Sequence, residues 1–143
     1  MSKLSIRLKE LMEENAINEL ELAVKSGIDN SSISDFLLEK HAPSYNTFVK
    51  LLSHFNCSAD YLLGLTDIHT DQVLHPVLPF QERLRAVMKE QKITHQKMIE
   101  TMPVSSSVLY KWVSGKSLPN AETLIRIANF LECSVDYLIG RIR

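Results

Sequence analysis

The sequence predicts an all-α chain made of two tandem five-helix domains, and three observations lead there. The octapeptide CSADYLLG at residues 57–64 returns as CSVDYLIG at residues 133–140. Sliding the chain by 76 positions then aligns residues 4–64 with residues 80–140 without a gap, with roughly a quarter of the positions identical, among them Arg7/Arg83, Lys40/Lys116 and Pro43/Pro119. Self-similarity at one long period marks a duplicated structural unit. Apolar residues recur at helical spacing, as in Leu4, Leu8, Leu11 and Met12, copied by Phe80, Leu84, Val87 and Met88. No segment alternates apolar and polar residues well enough to be a strand. The expected boundaries are a domain over 1–67, a linker over 68–79 (IHTDQVLHPVLP) and a domain over 80–143.

Each repeat carries the same elements in the same order. After the first amphipathic helix, a second begins at Asn18 or Thr94, both residue types that cap helix N-termini. It is short, and Gly27-Ile28 or Pro103-Val104 ends it. A third follows at once, with Asp29 or Ser105 at its N-cap and Ile33, Phe36 and Leu37, or Leu109, Trp112 and Val113, facing inward. The loop EKHAP or GKSLP leads to a fourth helix carrying Phe48, Val49, Leu51, Leu52 and Phe55, matched by Leu124, Ile125, Ile127, Ala128 and Leu131. The octapeptide supplies the fifth: Ser58 and Ser134 as N-caps, Asp60 and Asp136 favouring the first turn, Gly64 and Gly140 suited to its end.

Composition narrows the function classes. The chain has 143 residues, 45% apolar and 23% charged, which is ordinary globular composition. No apolar run approaches the length of a membrane span, and the N-terminal stretch MSKLSIRLKE is charged and amphipathic, so the protein reads as soluble and intracellular. Cys57 and Cys133 occupy equivalent places and read as small buried thiols rather than a disulfide. The five histidines form no zinc-like set, no glycine-rich phosphate loop occurs, and no nucleophile motif appears, so no catalytic residue, metal or cofactor is expected. The net charge of −1 hides a split: residues 1–67 hold six Lys/Arg against ten Asp/Glu, residues 80–143 ten against six. The halves therefore face different partners, or attract each other.

Two helices joined by a short turn form a helix-turn-helix. The stretch LELAVKSGIDNSSISDF, with small Ala23, turn-permissive Gly27 and inward Ile28, Ile33 and Phe36, together with the GKSLP step into the fourth helix, resembles the lambda-repressor/Cro (Xre) helix-turn-helix family across nearly all of both repeats. The resemblance implies sequence-specific binding of double-stranded DNA, usually as a repressor, in the cytoplasm of a bacterium or under a phage genome. The third helix enters the major groove, and the N-termini of the second and fourth helices sit on phosphates. Carried over by position, Ser106, Ser107, Tyr110 and Lys111 face the groove. Thr94, His95, Gln96, Ser105, Lys116 and Asn120 surround it. In that family the fifth helix often pairs subunits, so a homodimer is expected.

The two copies are not equally suited to DNA. Repeat 1 carries Asp29, Asp35 and Glu39 around its third helix and Glu19 and Glu21 on its second. Carboxylates facing phosphates are repelled. Asn30, Ser31 and Ser34 remain there as weaker candidates. Repeat 1 is thus expected to organise the assembly, contact repeat 2 or bind a protein partner. Repeat 2 departs in its turn, where Met102-Pro103 replaces Ser26-Gly27 and Ile99 replaces Ala23, so the angle of its reading helix differs. A rival reading keeps the fold and gives up DNA: a protein-interaction adaptor or antirepressor, favoured by the near-neutral chain. The linker, with Pro76 and Pro79 among apolar residues, is expected to pack along a domain rather than swing freely.

Overall fold

The computed structural model describes residues 3–143; Met1 and Ser2, which open the amphipathic N-terminal stretch, lie outside the described residues. Those described residues form helices without strands. Repeat 1 holds α1 (Lys3–Glu14), α2 (Glu19–Ser26), α3 (Asn30–Leu37), α4 (Tyr45–Phe55) and α5 (Ala59–Leu62). Repeat 2 holds α6 (Phe80–Glu90), α7 (His95–Thr101), α8 (Ser106–Ser114), α9 (Ala121–Phe130) and α10 (Val135–Ile139). The fold is two tandem five-helix units.

Side-chain caps start most of these helices, because the first backbone N–H groups of a helix have no partner within it. Asn18 accepts from the Glu21 N–H at 2.8 Å and Glu21 accepts from the Asn18 N–H at 3.4 Å, a reciprocal capping box for α2. Thr94, Ser105 and Asn120 cap α7, α8 and α9 in the same way at 3.1, 3.2 and 2.9 Å. Asp29 occupies the N-cap position of α3 but makes no capping hydrogen bond. It is exposed, where water solvates a carboxylate as well as a backbone N–H would.

The turns differ as their sequences require. Gly27 ends α2 at φ +77°, a conformation that costs a glycine little, and its N–H bonds the Ala23 carbonyl at 3.0 Å. In repeat 2 the residue before proline is held extended: Met102 sits at ψ 142° and bonds back to Met98 at 2.8 Å. As a result α7 has seven residues where α2 has eight. The third helices start at equivalent positions, and α8 runs one residue further than α3 at its far end, to Ser114.

Both repeats contribute to the apolar core. Leu8, Leu22, Ile33, Phe48, Leu51 and Leu52 are fully buried in one, Leu84, Met98, Leu109, Leu124 and Ile127 in the other. Trp112 is core, as its helical position predicts. Leu37, Val49, Phe55 and Ile125 reach only half-burial at the margin. The two thiols are free. Burial pushes that of Cys57 up to about 11, whereas Cys133 is only half-buried, less than its twin and less than expected. Equivalent arginines clamp the fifth helix to the first. The Arg7 guanidinium lies 4.0 Å from the Tyr61 ring centre, and Arg83 lies 4.9 Å from that of Tyr137 while donating to the Tyr137 carbonyl at 2.7 Å.

The repeats dock through α5 and α10. The Asp136 carboxylate accepts from the backbone N–H groups of Ala59 at 2.6 Å and Asp60 at 3.0 Å. In return the Asp60 carboxylate accepts from Val135 and Asp136, each at 3.2 Å. Exchanging the repeats leaves this set of contacts unchanged, which is the mark of an isologous, two-fold interface. The octapeptide aspartates thus do more than favour their own helices, since each caps the other repeat's fifth helix. The linker packs on repeat 2. The His75 and Leu78 N–H groups donate to the carbonyls of Arg141 and Ile139 at 2.7 and 3.0 Å, and Leu78 approaches Gly140 so closely that an added Cβ would meet it at 2.9 Å. Arg141, only 5% exposed, reaches back into repeat 1 and donates to the Cys57 and Leu52 carbonyls at 2.8 and 3.3 Å.

Asp136 is 2% exposed, and burial beside the Asp60 carboxylate raises its pKa from 3.8 to about 7. The folded chain therefore holds a proton that the unfolded chain releases near pH 4, so this contribution to stability is full in acid and lost as pH rises through about 7. Thermal melts of the wild-type chain should show a higher Tm at pH 5.5 than at pH 8, and Asp136→Asn should flatten that difference.

Candidate nucleic-acid interface

In repeat 2 the predicted reading residues share one solvent-facing surface. Ser106, Ser107, Tyr110 and Lys111 on α8 are all exposed, Tyr110 by 59%. They stay exposed because Leu109, Trp112 and Val113 occupy the inward stripe of the same helix. The Lys116 ammonium, brought back by the turn at Gly115, sits 5.2 Å from the Tyr110 ring centre. That contact holds a cation beside the phenol without removing its charge. The side-chain oxygens of Thr94, Ser105 and Asn120 accept from backbone N–H groups and so cap α7, α8 and α9. His95 is exposed at the first position of α7. Gln96 is also exposed, and its amide donates to Glu100 one turn along at 2.9 Å.

The equivalent surface of repeat 1 is occupied by its own carboxylates. The Ser34 hydroxyl donates to Glu19 at 3.0 Å, joining α3 to the start of α2. Asp35, at the position of Lys111, takes the His41 ring at 3.1 Å and the Lys40 ammonium at 3.8 Å. Lys40 is the counterpart of Lys116, so the same lysine faces a carboxylate in one repeat and an aromatic ring in the other. Asn30 and Ser31 remain exposed. The left-handed turn after the helix is kept, with Glu39 at φ +61° where repeat 2 has Gly115 at +80°. The backbone is thus conserved between the repeats while the polarity of the face is inverted.

The family model for helix-turn-helix proteins matches the chain twice, over residues 8–62 and 84–138. The chain belongs to the helix-turn-helix family, of the lambda-repressor/Cro (Xre) type. Helix-turn-helix relatives include the HTH-type transcriptional activator BcrR of Enterococcus faecalis, 32% identical over 44% of this chain and 31% of the relative. The uncharacterized HTH-type transcriptional regulator YqaE of Bacillus subtilis is 33% identical over 42% of this chain and 52% of its own length. The cryptic phage CTXphi transcriptional repressor RstR of Vibrio cholerae is 36% identical over 45% and 57%. The chain thus covers between about a third and three fifths of each relative's length, and each match takes in a little under half of this chain. No solved structure matches the chain. Among the described residues no helix is long and apolar enough to cross a membrane, and no group of His, Cys, Asp and Glu is placed to hold a metal ion.

Three features of this helix-turn-helix chain escape sequence reasoning: the Glu19–Ser34 bond, the Asp35–His41 pair and the cross-repeat aspartate caps. The first two join residues on different elements, 15 and 6 positions apart, that helical periodicity leaves unpaired. The third had a visible signal, since Asp60 and Asp136 are identical within the most similar stretch of the repeats. Converting the acidic face should expose its latent character. Glu19→Gln with Asp35→Lys in the full chain should tighten binding to random duplex DNA and steepen its salt dependence by about one unit of log–log slope. Affinity titrated across a salt series measures it.

Proposed function

We propose that the chain is a sequence-specific regulator of transcription that binds double-stranded DNA, with residues 80–143 reading the major groove, residues 1–67 organising the assembly, and residues 68–79 linking them. The observation that carries this is the inverted polarity of two equivalent faces: Lys111 and Lys116 with Tyr110 are open to solvent in repeat 2, whereas Glu19 and Asp35 occupy the face of repeat 1. In this reading Ser106, Ser107, Tyr110 and Lys111 meet base edges, and Lys116 and His95 meet phosphates. Thr94, Ser105 and Asn120 set the helix starts against the backbone. We favour repression over activation, because a bound module occludes the DNA beneath it without any further contact. The internal pairing of α5 with α10 engages the helix expected to pair subunits, so residues 1–67 take the place of a second subunit at that surface. The protein acts in the cytoplasm, on bacterial or phage DNA.

Selection from a random duplex pool with the full chain tests the reading. The expected product is one strongly specified half-site, with weak or absent specification of a second. Two equally specified, inverted half-sites would refute the division of labour, and no enrichment would refute DNA reading altogether. Lys111→Ala should weaken binding to the selected site and lower the magnitude of its salt slope by about one.

A protein partner on repeat 1 is favoured by one further observation. Leu20 and Val24 lie one turn apart on α2 and are 64% and 76% exposed, where repeat 2 carries the bonded pair Gln96 and Glu100. Leu20→Gln with Val24→Glu installs the polar pair. Association with such a partner should be lost while affinity for the selected DNA is unchanged.

A further inference from the structure

The two-fold interface has one filled flank and one open flank. On the filled side the Tyr45 ring, at the start of α4, packs on the Phe80 ring, at the start of α6, with centres 5.6 Å apart. Both are buried, and burial pushes the Tyr45 hydroxyl up to about 12. Arg141 closes the same flank by reaching from repeat 2 into the carbonyls of repeat 1. Exchanging the repeats by the shift of 76 carries Tyr45 to Ala121, Phe80 to Leu4 and Arg141 to Leu65. The other flank therefore has a methyl group where the first has a phenol, an isobutyl group where it has a phenyl ring, and a leucine, 43% exposed, where it has a buried guanidinium.

At that place the structure has a cavity of about 450 Å³, lined by Leu4, Ala121 and Leu65 together with Phe36, Leu63 and Ile125. The docking itself is tight beside it, since the Ala121 N–H donates to the Pro43 carbonyl across the boundary at 3.0 Å. The repeats are thus already in register, and the void is made by small side chains, not by loose packing. Its size falls within the range of small-molecule sites, which are mostly apolar with a few polar groups at the edge. Its rim carries Lys3 and Lys40 against Glu39 and Glu122. These formal charges cancel, so the rim suits an uncharged polar group better than an ion.

We propose that this cavity binds a flat, uncharged aromatic molecule of one or two rings, which takes the place that Tyr45 and Phe80 occupy on the opposite flank and leaves a hydroxyl or amide at the charged rim. The floor of the site is the start of α9, next to Asn120, and its wall is the loop that follows α3. A ligand there touches both repeats, meeting α3 through Phe36 and α9 through Ala121 and Ile125. Its use as an effector rests on the regulator reading above, whereas its binding does not.

The test uses the full chain without DNA and 2-naphthol as the probe, followed by calorimetry and by backbone amide shifts. The expected result is saturable binding of one probe per chain, with shifts centred on Leu4, the 39–42 loop and the start of α9. Leu4→Phe with Ala121→Tyr rebuilds the ring pair of the other flank and should weaken probe binding by about tenfold or more while raising Tm. Ala121→Leu alone, a smaller change for use if the double variant does not fold, should weaken binding by a lesser factor. Absence of saturable binding, shifts centred elsewhere, or undiminished affinity in a folded filled variant would each overturn the proposal. A DNA-binding defect with intact probe binding would count against the regulator reading alone.

Discussion

Four backbone N–H groups at the starts of α5 and α10 are satisfied by two carboxylates, each supplied by the opposite repeat. Helix starts carry partial positive charge and orphan donors, so a carboxylate placed there is favoured on both counts. Each aspartate also carries one of the backbone donors that the opposite carboxylate accepts from, and a two-fold arrangement lets both copies be used at once. The rest of the docking is arranged around this exchange. The Arg7 and Arg83 clamps fix each fifth helix to its own first helix, Arg141 crosses the boundary beside it, and the linker lies along the segment that follows α10. Burial penalises the charged form of Asp136, and the Asp60 carboxyl beside it adds to that, so its pKa is raised.

A duplicated unit that pairs with itself frees its two copies to diverge wherever they do not touch. The inner surfaces have kept their chemistry, as Ser58/Ser134, Asp60/Asp136, Tyr61/Tyr137 and Gly64/Gly140 attest. The outer surfaces have not. Asp35 stands opposite Lys111, Leu20 opposite Gln96 and Glu19 opposite His95. Even inside the interface one flank has drifted from the other, leaving rings on one side and a void on the second.

The fold was legible because it is written in local signals. Period-3.6 stripes, cap residues and a glycine at the turn each act within one helix or its neighbour, and the gapless repeat doubled every one of them. The surface of repeat 2 was legible for the same reason, since residues that alternate with a buried stripe must face out. Contacts that join distant positions were not. Nothing local says that Glu19 will meet Ser34, or that Arg141 will be buried against carbonyls of the other half. Asp29 shows the limit from the other side: the residue type and position are those of a cap, yet in water its carboxylate has no need of the bond. The extended Met102 was foreseeable because proline restricts its predecessor by sterics alone.

Joining the two units in one polypeptide also removes a dependence on abundance. A pair of separate subunits assembles in proportion to the square of their concentration and falls apart when dilute, whereas α5 meets α10 at an effective concentration fixed by a linker that is itself held in place. The paired form is then present at the first molecule made. The pairing of α5 with α10 therefore does not weaken on dilution, and scarcity of the chain leaves this interface closed.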